Sequence, residues 1–233
     1  MNGIRKMDKI KGTLVILTWN EIEGLKEIFD KIPVGQIYEI FAIDPGSTDG
    51  TLEFYKEKGI RVIIQEVKGR GEAFRIAFRE AKSDNLVFFS PDGNENPEDI
   101  LKIFQHLYDS YDMVIASRFM KGARCDEDDK FLKIRKLGNK SFTKIANIMF
   151  NGNLTDSING FRGIKKTAFE KINPDAHHFG IEFQISIRAL KNKMKIYEFP
   201  TVERERLGGE STARSFKVGW QFIGLLIKEF LKK

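Results

Sequence analysis

Two stretches of this chain carry oxygen ligands at spacings that suit a phosphorylated small molecule. In SPDGNENPE, residues 90–98, Asp92 and Asn94 are hard oxygen donors at alternate positions, directly after the apolar run 86–90. A Mg2+ or Mn2+ ion needs only one or two carboxylates when phosphate oxygens and water fill its other positions. Asp92 and Asn94 therefore fit a cation that is completed by an arriving diphosphate. In DPGSTDGT, residues 44–51, Pro45 and two glycines force a turn. Asp44 ends the preceding apolar run, where nucleotide-binding folds place a carboxylate on the ribose, and Asp49 or Thr51 suits the cap of the next helix. Two shorter patterns are less specific. In TWNE, residues 18–21, Asn20 either caps the following helix or joins Thr18 and Glu21 at a ligand. In GRGEA, residues 69–73, Gly71 lets a phosphate or base approach the amides of a helix start. All four patterns also serve ordinary turns.

The elements around these loops decide whether they meet. Apolar runs at 13–18, 40–44, 61–65, 86–90 and 113–117 read as strands. Between them, helical spacing covers 22–31, 51–58 and 72–81, and Pro97 opens a helix with Ile100, Ile103, Phe104 and Leu107 in its stripe. Fully apolar strands separated by amphipathic helices predict an α/β fold of parallel βαβ units, with helices on both faces of the sheet. Ligands of such sheets sit beyond the carboxyl ends of the strands, and the loops after residues 18, 43 and 89 fall there. The second half is less regular. It reads as a charged loop at 126–130, a basic amphipathic helix at 131–150, a glycine-containing turn at 157–163, a helix at 181–191 and a strand at 195–200. A loop at 204–214 and a terminal helix at 216–232 complete it. No repeat or linker divides the 233 residues, so a single domain is expected.

Taken in order, these motifs resemble the family-two glycosyltransferases of the GT-A fold, most closely the branch that transfers sugars to dolichyl or polyprenyl phosphate. LTWNE stands for a PTYNE-like segment, DPGSTDGT for DDGSxDGT, and SPDGNENPE for a DAD-like metal segment with its Pro-Glu helix start. The similarity continues through IASRFMKG (115–122), IRKLGNK (134–140), DSINGFRGIKK (156–166) and GGEST (208–212). The resemblance implies a Rossmann-like GT-A fold with a mostly parallel sheet flanked by helices. A nucleotide-sugar half at about 12–122 would precede a helical acceptor side at 123–233. It implies an inverting transfer from a GDP- or UDP-sugar to a lipid phosphate or a growing glycan. Thr18, Asn20, Glu21, Asp44, Gly46, Gly71 and Asp92 would hold the donor. Asp92 and Asn94 would hold Mg2+ or Mn2+. Arg118 and Arg135 would lie near the donor and acceptor phosphates, and Arg206 and Ser211 in a loop closing over the donor. For a sugar-hydroxyl acceptor, Glu182 is the candidate base. Two positions depart from the pattern. Pro45 replaces the second aspartate of the nucleotide motif, and Ser90 replaces the first aspartate of the metal motif. A metal site built from Asp92, Asn94 and phosphate, a metal-free enzyme and a non-catalytic relative all stay open.

Composition narrows the partners. A formal charge of +6 favours an anionic partner without choosing one. Nucleic acid is not expected, because no reader motif is present and the cations lie scattered among acidic neighbours. The single cysteine, Cys125, fits a reducing compartment and is expected to be a spectator. No apolar stretch reaches the roughly 20 residues of a membrane span, and the N-terminal run leads to Asn20 and Glu21 rather than to a cleavage site. A cytoplasmic protein, peripheral on the membrane, is the expectation. In the segment 130–144, Lys130, Lys133, Arg135, Lys136, Lys140 and Lys144 interleave with Phe131, Leu132, Ile134, Leu137 and Phe142. The terminal helix aligns Phe216, Trp220, Ile223, Ile227, Phe230 and Leu231 beside Lys228, Lys232 and Lys233. Both patterns suit either a lipid surface or a packed core. His177 and His178 read as loop residues.

Overall fold

The computed structural model describes residues 9–125, 130–207 and 215–232. The first half alternates strands β1 (Ile10–Leu17), β2 (Ile37–Asp44), β3 (Arg61–Ile64), β4 (Asn85–Phe89) and β5 (Met113–Ser117) with helices α1 (Ile22–Ile28), α2 (Thr51–Glu57), α3 (Arg70–Glu80) and α4 (Asp99–Tyr108). There follow β6 (Arg124–Cys125), α5 (Lys130–Phe150), β7 (Arg162–Lys165), α6 (Lys166–Ile172), α7 (Ile181–Lys191), β8 (Ile196–Pro200), β9 (Val202–Glu203) and α8 (Ser215–Leu231).

Seven strands form one sheet in the order β3-β2-β1-β4-β7-β5-β8. All neighbours are parallel except β7, which runs antiparallel between β4 and β5. Buried strands covered on both faces need apolar residues on both sides, and β1 supplies them. Val15 and Leu17 join the face that holds Phe74, Phe78 and Phe88, while Leu14 and Ile16 join the face that holds Phe89 and Phe104. A third cluster, centred on Phe183, Ile187, Phe222 and Leu226, ties α5, α7 and α8 together.

The stretch 157–163 was expected as a turn; its last two residues instead open β7. Gly163 weakens the strand signal, yet glycine is required there, because a Cβ would run into Ile103 and Leu107 of α4. The α4 helix thus lies directly on the sheet at the point where the antiparallel strand is inserted. Beside the main sheet, β6 and β9 form a small parallel pair. Of the two, β9 carries the chain from β8 back towards the loop after β4.

Candidate active site

The loops after β1 and β2 are stitched to each other before any ligand arrives. Asn20 adopts a left-handed conformation, with φ of 54°. Its backbone N–H donates to Ser47 Oγ at 2.7 Å, and its Oδ1 accepts from the Thr48 amide at 2.9 Å. Asn20 therefore does not cap α1. Asp49 serves the first amide of that helix instead, accepting from Ile22 N–H at 3.1 Å with Oδ2 while Oδ1 accepts from Thr51 N–H at 3.0 Å. Asp44 is fully buried and turns its carboxylate into its own loop. Oδ1 accepts the amides of Gly46 and Ser47 at 2.7 and 2.6 Å, and Oδ2 accepts the Ser47 hydroxyl at 2.6 Å. Its role here is to fix the turn, so a ribose approaching Asp44 meets oxygens already engaged.

The glycines of the third loop also serve a different end from the one expected. Gly71 donates its amide to the carbonyl of His177 at 3.0 Å, and a Cβ on Gly71 would collide with the carbonyl of Ala176. The backbone at 176–177, not a phosphate, occupies the close approach that glycine permits. Between Gly69 and Gly71 stands Arg70, a residue of GRGEA to which the sequence alone assigns no role. Arg70 Nε donates to Glu182 Oε1. Burial opposes the Arg70 charge, but Glu182, Glu95 and Asp92 together hold its pKa above the usual arginine value. Glu182, buried in the first turn of α7, is thus an ion-pair partner of Arg70 rather than a carboxylate open to an acceptor hydroxyl.

The tip of β4 is where the charges collect. A strap at 203–207 runs alongside the loop that follows β4. Arg204 N–H donates to the Asn94 carbonyl and Leu207 N–H to the Asp92 carbonyl, both at 2.9 Å. Gly93, with φ of 89°, makes room for Leu207, whose Cδ1 would lie 2.6 Å from a Cβ. This pairing carries Arg206 over the strand tips, where its Nη2 binds Glu21 Oε1 and its Nη1 stands 3.5 Å from Asp92 Oδ2. Glu21, Asp92 and Arg206, together with Thr18, Trp19 and Arg70, line a cleft of about 340 Å3 beyond the carboxyl ends of the parallel strands, within the range of small-molecule sites. Burial, helped by Asp92 and Asp49 and opposed by Arg206, raises the pKa of Glu21 to about 8. Asp92 is also raised, by burial against the pull of Arg206. A second carboxylate missed in the sequence lies in the same loop. Glu95 Oε2 accepts the Ser90 amide at 2.7 Å, and burial and Asp92 push its pKa well above the usual range.

Among the described residues, no group of three or more His, Cys, Asp or Glu side chains forms a ready-made metal cage. The oxygen donors nevertheless fit a hard cation completed by phosphate. Glu21 Oε2 and Asn94 Oδ1 are buried without a hydrogen-bond partner, and Asp92 lies on the cleft wall. Other expected residues lie elsewhere. Arg118 is clamped by Asp156 through Nε–Oδ2 at 2.7 Å and Nη2–Oδ1 at 3.1 Å, and it approaches Glu203 at 3.6 Å. Its guanidinium is committed to carboxylates rather than open to phosphate. Arg135 falls on α5 with its side chain outside the described part, and Ser211 lies outside the described residues.

Compared with known proteins, residues 13–173 match the profile described as glycosyl transferase family 2. The chain belongs to that family. It is 25% identical to glycosyltransferase AglJ of Haloferax volcanii over 84% of its own length and 63% of the relative's. It is 28% identical to dolichol-phosphate mannosyltransferase of Pyrococcus furiosus, over 87% of this chain and 59% of that one. With dolichyl-phosphate hexose transferase of Haloferax volcanii it shares 27% identity over 94% and 95% of the two chains. It thus spans about 60% of the first two relatives and nearly all of the third. Among solved structures, glucosyl-3-phosphoglycerate synthase of Mycobacterium tuberculosis, in complex with Mn2+, uridine diphosphate and glucosyl-3-phosphoglycerate, superposes with a TM-score of 0.74. That match, at 18% identity, covers 94% of this chain and 79% of that one. It establishes the GT-A-like fold of this family-two chain.

Proposed function

We propose that this family-two protein moves a sugar, with inversion at the anomeric carbon, from a GDP- or UDP-sugar to a polyprenyl phosphate. The observation that carries the reading is the convergence of Glu21, Asp92 and Arg206, from three separate segments, on one cleft at the strand tips. The dolichyl-phosphate transferases among its relatives support the acceptor class.

In such a transfer an acceptor phosphate oxygen forms a bond to the anomeric carbon. The bond from that carbon to the diphosphate oxygen breaks, and the nucleoside diphosphate leaves with the electron pair. Arg206 is placed to neutralise charge growing on the leaving group, the type of stabilisation that preorganised cations supply. A bound Mg2+ or Mn2+, held by Asp92 and Asn94, would add Lewis-acid charge neutralisation. The acceptor needs no general base, because a phosphate monoester with a second pKa of about 6 is largely dianionic at neutral pH. Glu182 is engaged by Arg70, and this favours the phosphate acceptor over a sugar hydroxyl.

A peripheral position on the cytoplasmic membrane face belongs to the same proposal. On α8, Phe222 and Leu226 pack inward, while Trp220, Ile227, Phe230 and Leu231 stay exposed, as do Leu137, Ile145 and Ile148 on α5. Lys228, which lies beside that stripe in the sequence, is paired with Asp175 at 2.7 Å. No described helix is long and apolar enough to cross a membrane.

The test is an organic-extraction assay with labelled UDP- and GDP-sugars and short polyprenyl phosphates. Labelled product in the organic phase is expected. A chain that releases nucleotide only onto soluble sugar acceptors would sink the acceptor assignment, and one that binds no nucleotide sugar would sink the whole reading.

A further inference from the structure

The tip of β4 poses a charge problem. Ser90, the first residue past the strand, brings no carboxylate, and Asp92 is already shared with Arg206 at 3.5 Å. The loop nevertheless folds back so that Glu95 reaches Ser90, its Oε2 accepting the Ser90 amide at 2.7 Å. One carboxylate oxygen is anchored in this way, and Oε1 is left for a second partner. Among the described residues Glu95 forms no ion pair. The nearby Arg70 is committed to Glu182, and Arg206 to Glu21 and Asp92.

Resting on the reading of the cleft as a nucleoside-diphosphate site, we propose that Glu95 supplies the second carboxylate charge for a divalent cation at the tip of β4, in place of Ser90. A separate observation points the same way. Glu21 is only 7% exposed, lines the same cleft and keeps Oε2 buried without a hydrogen-bond partner, although Oε1 is bound by Arg206. Asn94 Oδ1 is a second buried acceptor without a partner, in the loop that carries Asp92 and Glu95. Glu21, Asp92, Glu95 and Glu182 thus face two guanidiniums, Arg70 and Arg206, with buried acceptors left over, and buried charge is tolerated when paired or bound to a metal.

The competing role for Glu95 is a neutral brace that only holds the Ser90 amide. Glu95→Gln separates the two, since its amide oxygen can accept the same bond while the charge is lost. Mn2+ binding is read by the loss of the free-ion electron paramagnetic resonance signal, on the full chain with saturating UDP or GDP. Calorimetry follows nucleotide binding without metal, and melting temperature reports folding. The expected result is Mn2+ binding at least tenfold weaker in Glu95→Gln, metal-free nucleotide binding within about twofold of the parent, and recovery of Mn2+ affinity in Ser90→Asp/Glu95→Gln. If Glu95→Gln folds poorly, the double variant still decides, because a carboxylate returned at residue 90 should restore Mn2+ binding. Parental Mn2+ affinity in Glu95→Gln overturns the proposal, as does a double variant that folds without regaining the ion. If the parent binds nucleotide but Mn2+ adds nothing, this inference falls and the donor reading stands. If it binds neither nucleotide, with or without Mn2+, both fall.

Discussion

The two halves of the molecule use buried charge in opposite ways. In the second half, cations and carboxylates complete one another. Asp156 grips Arg118, and Glu229, 1% exposed, binds Arg188 with Oε1 at 2.9 and 2.7 Å and so fastens α8 to α7; its Oε2 accepts no hydrogen bond but has a cation of its own, Lys191 Nζ at 3.8 Å. Arg162, fully buried, donates to the carbonyls of Ser157, Asn159 and Glu182, and burial lowers its pKa to about 10. At the strand tips of the first half, Glu21 and Asp92 share one arginine, and oxygens of Glu21 and Asn94 stay unpartnered. A network that satisfies itself holds a fold. One that leaves buried acceptors over is prepared for something the chain does not contain.

If that contrast is right, removing a carboxylate should hurt in different currencies in the two halves. Asp156→Ala should show the largest effect, a loss of about 3–5 kcal/mol in a urea unfolding series, because it leaves the mostly buried Arg118 charge with only the longer contact to Glu203 at 3.6 Å. Asp92→Asn should leave unfolding close to parental while turnover in the extraction assay drops by about 10²–10³. A destabilisation by Asp92→Asn as large as that of Asp156→Ala would erase the distinction and make Asp92 one more structural ion.

Much of the first half was legible from the chain, and the reasons are local. The strands at 113–117 and 86–90 and the helices at 51–58 and 72–81 announce themselves by apolar period, and the structure places them within a residue or two. Asp92 was legible for the same reason, since a carboxylate just past a buried strand must lie at the sheet's carboxyl edge. What periodicity does not carry is where a side chain turns after the loop closes. Asp44 faces its own turn, Asp49 caps a helix that precedes it in the chain, and Arg118 meets Asp156 across 38 residues. Arg70 and Glu95 lay inside quoted motifs, but only the folded contacts between α3, α7 and the β4 loop give them roles. The short strand β7, interrupted by glycine, was invisible because α4, not propensity, dictates Gly163.

A third test bears on the acidic cleft alone. Glu21 is raised from 4.5 to about 8 in the folded protein. Between those values the folded state holds a proton that the unfolded chain has released. The contribution of Glu21 to stability is therefore full below about 4.5, falls as pH rises through that window and is lost above about 8. The slope should amount to a few kcal/mol at most, and Glu21→Gln should flatten it. A parental profile that rises from pH 5 to 8 would mean that Arg206, not burial, governs Glu21.

The smallest effect probes how the second half controls the first. Gly93 has a left-handed backbone and lies against Leu207 of the strap that carries Arg206. Gly93→Ala forces a side chain into a conformation that costs about 1–2 kcal/mol and pushes Leu207 outward, whereas the pairing of Leu207 N–H with the Asp92 carbonyl sets the reach of Arg206. The substitution should lower stability by about that amount and raise KM for the nucleotide sugar severalfold. Leu207→Ala in the same background makes room for the new Cβ and should restore part of the affinity while leaving the backbone cost in place. If the double variant binds no better than Gly93→Ala, the strap is not held through this contact, and Arg206 owes its position to Glu21 and Asp92 alone.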